Sequence, residues 1–482
     1  TSPAIYVITG TVNADAFLNL GNIKASVNVI LGDAPIVVVT PPALEPDPTP
    51  VPQENTIVKV NGEALNIGIE EKSIENGVSR VDVSVVSETI EKMIDEVIEK
   101  NLSNPNASEN TVEINVVDTT ADLTVVGLTG EIVKKLEEND FDVIIKKGSM
   151  TYSIPAVEFT VDAVARRLSV APDRMDSITF EFQTQLLDDA TQMLISNQVT
   201  ENNAESLFPA TEFHLVAKVV RVDGTTEELP LYSFSQYVDR TFELPSGLSS
   251  SDITTGIVFN SDYTYTHVPT YVFTKDGKNY AQIHSLTNST YTVIHNPVHV
   301  ESVKGHWAQA TVDNLASRLI LTDTQNFQAD ANITRGELAE YLVRALGLYR
   351  NDHQISSKYM DVTPQSEHAI AISIASQWGI INGYNDGTFK PDADLTREEA
   401  MTMYARALAI TPYASESKGL SATDISSASQ WAKPFVITVL DSKVFVGRLN
   451  DSMDFKAHLT HAEALTAIEN LLNVSNLTDK NN

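Results

Sequence analysis

Three short tetrads near the C-terminus carry the residues best suited to chemistry: Thr334-Arg335-Gly336-Glu337, Thr396-Arg397-Glu398-Glu399 and Thr460-His461-Ala462-Glu463, at steps of 62 and 64 residues. Each follows an apolar residue (Ile333, Leu395, Leu459) and opens an amphipathic pattern. Threonine with glutamate three residues on is a capping box, in which the hydroxyl accepts from the third helical amide and the carboxylate accepts from the threonine amide. Capping explains the Thr and Glu of every copy but not an arginine between them. A cation at the first helical position is mildly disfavoured by the helix dipole, so Arg335 and Arg397 predict an anionic partner. A planar guanidinium beside free helix-N-terminal amides suits two-point binding of a carboxylate. His461 is largely neutral near pH 7 and lacks that fork. The third copy is therefore expected to be structural, with His461 a solvated surface residue.

All three tryptophans lie in the same region, and Trp307 and Trp431 sit in matching contexts, His306-Trp307-Ala308 and Gln430-Trp431-Ala432. Each reads either as a core anchor of its helix, packed for Trp307 against Val312, Leu315 and Leu319, or as a ligand contact. Trp378, at a helix end, reads as packing. Asn382–Gly387 resembles a calcium loop, but Tyr384 occupies the third ligand position and the pattern fails. No GxSxG, HExxH, P-loop or GxGxxG occurs. No catalytic, cofactor or metal site is assigned.

The elements that position these residues follow from periodicity. Residues 1–40 hold strands at Tyr6–Val12 and Ile23–Leu31, too few to bury a core. They read as the terminal strands of an incomplete immunoglobulin-like β domain, or as strands pairing with an upstream polypeptide or partner chain. Residues 41–55 contain six of the 20 prolines within Pro41–Pro52, an extended spacer. Residues 56–205 mix periods: helices at Ile90–Ile98, Glu131–Leu136 and Ala156–Leu168, and strands at Thr111–Val117, Phe141–Lys147 and Met150–Ile154. Residues 206–297 turn to hairpins about Asp223-Gly224 and Asp276-Gly277. The expected fold class is multidomain: β-rich N-terminal strands, an α+β middle region and, at the C-terminus, amphipathic helices opened by the three tetrads.

Composition narrows the classes further. The 482 residues hold 33 basic and 64 acidic groups, a net charge of −31, which argues against a nucleic-acid partner. There is no cysteine, excluding disulfides and thiolate chemistry. The apolar runs, such as Ile36–Val39, are too short to cross a membrane as a helix. The residues from Val300 onward, with 15 basic and 22 acidic groups, are the less acidic part.

The last 180 or so residues resemble three tandem S-layer homology modules, at 298–351, 357–412 and 421–475. The resemblance rests on Gly305–Ala308 with Ile333–Glu337, on Gly383-Tyr384-Asn385-Asp386-Gly387-Thr388-Phe389-Lys390-Pro391 with Leu395–Glu399, and on Trp431-Ala432 with Leu459–Glu463. His267–Thr270, Asp276–Ala281 and Ser285–Tyr291 are similar to the segment preceding such modules in surface proteins of Paenibacillus-like Gram-positive bacteria. The resemblance implies an all-α, pseudo-threefold C-terminal spindle whose grooves bind secondary cell-wall polysaccharide, with the tetrad arginine meeting the carboxylate of a pyruvate-ketal sugar. An aspartate near each module start, aromatic residues and glycine backbone assist. Carried onto this chain, the site is Arg335, Arg397, Asp361, Asp424, Trp307, Trp431, Gly383 and Tyr384. Ser302 stands where the first module's aspartate is expected, Ser366–His368 where the second module's tryptophan is expected, and His461 replaces the third arginine.

The resulting reading is a secreted, non-enzymatic surface protein held non-covalently on the wall, with self-assembly into a surface layer and no membrane partner. The competing readings are an anchored exoenzyme of glycoside-hydrolase type and a carbohydrate-binding adhesin.

Overall fold

The computed structural model describes residues 55–102, 110–414, 425–448 and 452–479. The strands expected before residue 41, the proline-rich spacer and Asp424 lie outside the described residues.

Between Asn55 and His295 one hydrogen-bonded network joins 17 strands. Two pairings are parallel, Val78–Val85 beside Leu123–Thr129 and Asn110–Val116 beside Phe141–Lys147. Each has a helix within its crossover, Ser87–Leu102 and Gly130–Glu138, as a parallel connection requires. Ile90, Met93, Ile94 and Val97 of the first helix and Ile132, Val133 and Leu136 of the second are buried in one core with the strands. Alternation selects the strand faces: Phe141, Val143 and Ile145 are buried while Asp142, Ile144 and Lys146 are half-buried. Ile178–Leu186 alternates likewise and pairs with Leu123–Thr129 on one side and Thr211–Val220 on the other. The hairpin turn at Asp276-Gly277 has φ of 52° and 76°, the double left-handed conformation that an Asp-Gly pair favours.

This network corrects the expected fold class. The middle region is one large mixed sheet with helices in its connections, rather than the one or two α+β modules expected. Charged, exposed strands such as Glu63–Glu75 belong to it, and they lack the apolar alternation that marks a strand in sequence.

The C-terminal part contains the helix pairs Gln309–Ser317 and Arg335–Ala345, Ala369–Gln377 and Arg397–Leu408, and Lys433–Asp441 and His461–Val474. The all-α spindle expected is met only in part, because these helix pairs also meet through backbone pairing. Asn332 bridges Thr460, Thr334 bridges Asp394 and Thr396 bridges His458, all antiparallel. The amides of Ile333, Leu395 and Leu459 donate to the carbonyls of Leu459, Ile333 and Leu395 at 2.9, 3.1 and 2.9 Å, a closed ring. Tyr237 and Leu286 from the sheet share the buried cluster of these helices, and the Tyr237 hydroxyl donates to Leu346 O at 3.0 Å. At the same junction Gly347 has φ +69°, and a Cβ there would lie 2.6 Å from Pro269 Cδ.

Candidate functional site

The three tetrads cap their helices as expected. Thr334 N donates to Glu337 Oε2 at 2.8 Å and Glu337 N to Thr334 Oγ1 at 3.2 Å. Thr396 N donates to Glu399 Oε2 at 3.0 Å and Thr460 N to Glu463 Oε2 at 3.1 Å. The backbone then locks onto the next module: Arg335 and Gly336 N donate to Ala393 O and Pro391 O, Arg397 and Glu398 N to Ala457 O and Phe455 O, and His461 and Ala462 N to Ala331 O and Ala329 O. Amides left free at most helix starts are therefore already used here.

The arginine side chains point into the same junctions. Arg335 Nε donates to Phe389 O at 2.9 Å, its Nη1 lies 3.9 Å from Glu399 Oε1, and its guanidinium lies 4.7 Å from the Tyr384 ring centroid and 4.8 Å from that of Phe389. Arg397 is 2% exposed; its Nε donates to Met453 O at 2.7 Å and its Nη1 pairs with Glu463 Oε1 at 2.9 Å. The anionic partner that the sequence calls for is present inside the protein, as the capping glutamate of the next module. Burial pushes the Arg397 guanidinium below its ordinary pKa, against the raising effect of Glu463. Burial alone would raise the Glu463 carboxyl, but the Arg448 hydrogen bond and the Arg397 charge hold it below its ordinary value.

His461 is buried rather than solvated: Nδ1 meets Ala331 O at 3.1 Å, Nε2 meets Glu337 Oε1 at 3.2 Å, and the ring stands edge-on to Phe327 at 5.6 Å. It occupies the junction that an arginine fills in the other two copies.

The remaining candidates divide into groups. Asp361 clamps the loop ahead of Arg335, Oδ1 accepting from Phe389 N at 2.8 Å and Oδ2 from Lys390 N at 2.7 Å. In that loop a Cβ on Gly383 would lie 2.5 Å from Tyr359 Cε1 and 2.6 Å from Thr388 O, so only glycine fits. Tyr384 donates to Glu399 Oε1 at 3.0 Å, with Lys390 Nζ 4.5 Å from its ring centroid. Asp361, Gly383, Tyr384 and Arg335 thus form one neighbourhood.

Trp307 and Arg397 come together elsewhere, on a cleft of about 710 Å³ that also includes Phe445, Arg448, Asp454 and Glu463. Trp307 is 65% exposed and is not a core anchor. Trp431 is also exposed but does not line this cleft. Trp378 packs half-buried against the helical core. Arg448 escapes a sequence search because it belongs to no motif. Its Nε and Nη2 donate to Glu463 Oε1 and Oε2 at 2.6 and 2.9 Å, so one carboxylate sits between two guanidiniums. An indole face beside the part-exposed Arg448 guanidinium can receive the apolar face of a sugar and a carboxylate, with Arg397, buried and paired with Glu463, behind them.

Comparison with known proteins agrees with the tetrads. The S-layer homology domain model matches residues 302–339 and 359–401, which contain Arg335 and Arg397. The C-terminal region carries S-layer homology repeats. Among relatives of this chain, an amylopullulanase of Thermoanaerobacterium thermosulfurigenes is 33% identical over 179 residues, 36% of this chain and 9% of that protein. A surface layer protein of Brevibacillus choshinensis is 39% identical over 89 residues, 18% of this chain and 8% of that protein. A cellulosome-anchoring protein of Acetivibrio thermocellus is 25% identical over 148 residues, 30% and 33% of the two chains. The matched stretches are thus between 8% and 33% of these relatives' lengths. The third tetrad, with its capping box and its place in the backbone ring, lies beyond the matched S-layer homology repeats.

Proposed function

We propose that this chain anchors an extracellular surface protein to the bacterial cell wall, its S-layer homology repeats holding a secondary cell-wall polysaccharide without a covalent bond. The matched repeats, and relatives named for a surface layer and for cellulosome anchoring, support attachment to the wall. The observation that carries the site is the meeting of exposed Trp307 with Arg397 and Arg448 on one cleft.

On this reading the sugar ring stacks on the Trp307 indole, and its carboxylate, a pyruvate ketal by family resemblance, is held by Arg448 with buried Arg397 behind it. Glu463 orients both guanidiniums. The neighbourhood of Arg335, Tyr384, Gly383 and Asp361 is a second groove of the same kind, and the His461 junction is structural. The large sheet is the displayed part, available for assembly into a surface layer. The test is binding of the chain to purified sacculi before and after extraction of the secondary polysaccharide. Binding that disappears on extraction supports the reading, and undiminished binding to extracted sacculi refutes it.

A further inference from the structure

A second cleft, of about 590 Å³, lies where the sheet meets the segment after helix Arg335–Ala345. It shares no lining residue with the Trp307 cleft. Arg350 lines it, with Nη1 donating to Gly347 O and Tyr349 O at 3.0 and 2.7 Å and Nη2 to Thr287 Oγ1 at 3.0 Å. Behind Thr287 lies a second guanidinium: fully buried Arg240 donates to Thr287 O at 2.8 Å and Asn288 Oδ1 at 2.6 Å, 4.6 Å from the Tyr291 ring centroid. Among the described residues no carboxylate lies within ion-pair distance of either arginine. Of the two carboxylates lining the cleft, Glu212 Oε1 is 3.1 Å from His214 Nε2, and Asp352 Oδ2 accepts from Ser261 Oγ at 3.0 Å while its charge also reaches Arg350. In a chain with 64 acidic and 33 basic groups, two guanidiniums converge on Thr287 with no direct ion pair, the Asp352 charge acting on Arg350 only through space, which leaves room for a carboxylate to pair with Arg350 directly.

The mouth of the cleft is aromatic. Tyr232 is 61% exposed and Tyr263 is 40% exposed. Tyr263 sits at φ +62° in the turn closed by Tyr263 N to Asn260 O at 3.0 Å and Asn260 N to Thr264 O at 2.8 Å. A bulky residue in left-handed backbone is costly, and such positions cluster at ligand sites. Here the strain presents an exposed phenol beside the cationic floor.

We propose that this cleft is a separate binding site for a sugar bearing a carboxylate, with Arg350 meeting the carboxylate and the two tyrosines stacking on the ring. This goes beyond the anchoring reading and does not depend on it. A uronate of the cell's own wall and one of an external polymer share the chemistry. The full chain carrying Trp307→Ala, which removes the first cleft's platform, is titrated by calorimetry with oligogalacturonate, with purified wall polysaccharide and with a neutral galactose oligomer. The expected result is saturable binding of at least one acidic probe and none of the neutral one, weakened roughly tenfold or more by Arg350→Gln and by Tyr263→Asn. Asparagine tolerates positive φ, so Tyr263→Asn should melt no lower than its parent while losing affinity. Absence of binding by both acidic probes, equal binding of the neutral oligomer, or wild-type affinity in folded Tyr263→Asn would overturn the proposal. Failure of the anchoring reading shows separately, as sacculus affinity left at the wild-type value by both Trp307→Ala and Arg448→Gln.

Discussion

His461 Nε2 lies 3.2 Å from Glu337 Oε1, and this contact closes a circuit in which the residue after each cap reaches the capping glutamate of the next module. The other two links are Arg335 to Glu399 at 3.9 Å and Arg397 to Glu463 at 2.9 Å. The histidine that interrupts the tetrad pattern therefore completes the circuit rather than leaving it open. His461→Ala leaves the half-buried Glu337 carboxylate without this donor, at a cost of roughly 1–3 kcal/mol. Guanidinium titration followed by circular dichroism should show that loss, and an unchanged midpoint would remove His461 from the account of stability.

Acid should weaken the fold in two stages. Burial, helped by the Arg318 charge, depresses the His267 imidazole from 6.5 to about 3. Its folded pKa lies below the unfolded one, so the unfolded chain binds more protons; the contribution is intact above pH 6.5 and is lost as pH falls toward about 3. Burial alone would raise Glu337, but the His461 hydrogen bond and the Thr334 amide hold it at about 2, so its contribution is intact above 4.5 and lost toward about 2. Denaturant midpoints measured across this range should fall on acidification. His267→Gln should flatten the limb that begins at 6.5, and a slope identical to wild type would contradict the assignment.

What the sequence made legible was what local chemistry encodes: capping boxes, Asp-Gly hairpins and the buried faces of Phe141–Lys147 and the helix at Ile90. The strand Glu63–Glu75 was hidden because its side chains are mostly exposed, and strand pairing across long separations leaves no local mark. At the site, the demand of Arg335 and Arg397 for an anion was readable, but not that a glutamate 64 or 66 residues away supplies it. Arg448 was missed because its role arises from its contact with Glu463, not from spacing.

Gly383→Ala tests the loop that frames Arg335. The new methyl would meet Tyr359 and Thr388 O at 2.5 and 2.6 Å, a clash worth about 1–3 kcal/mol of overpacking. The expected outcome is a lower melting temperature together with greater mobility of Tyr384, seen by NMR. An unaltered melting temperature would mean that the loop has room the structure does not show.

The most direct test of the anchoring claim is equilibrium binding to native sacculi by wild type, Trp307→Ala and Arg448→Gln. Trp307 is exposed and Arg448 is one-third exposed, so both variants should keep the helical circular dichroism of the parent. Each variant should lose roughly tenfold or more in affinity, with wild-type binding abolished by polysaccharide extraction. Wild-type affinity in both folded variants would contradict this and move the anchoring chemistry away from this cleft.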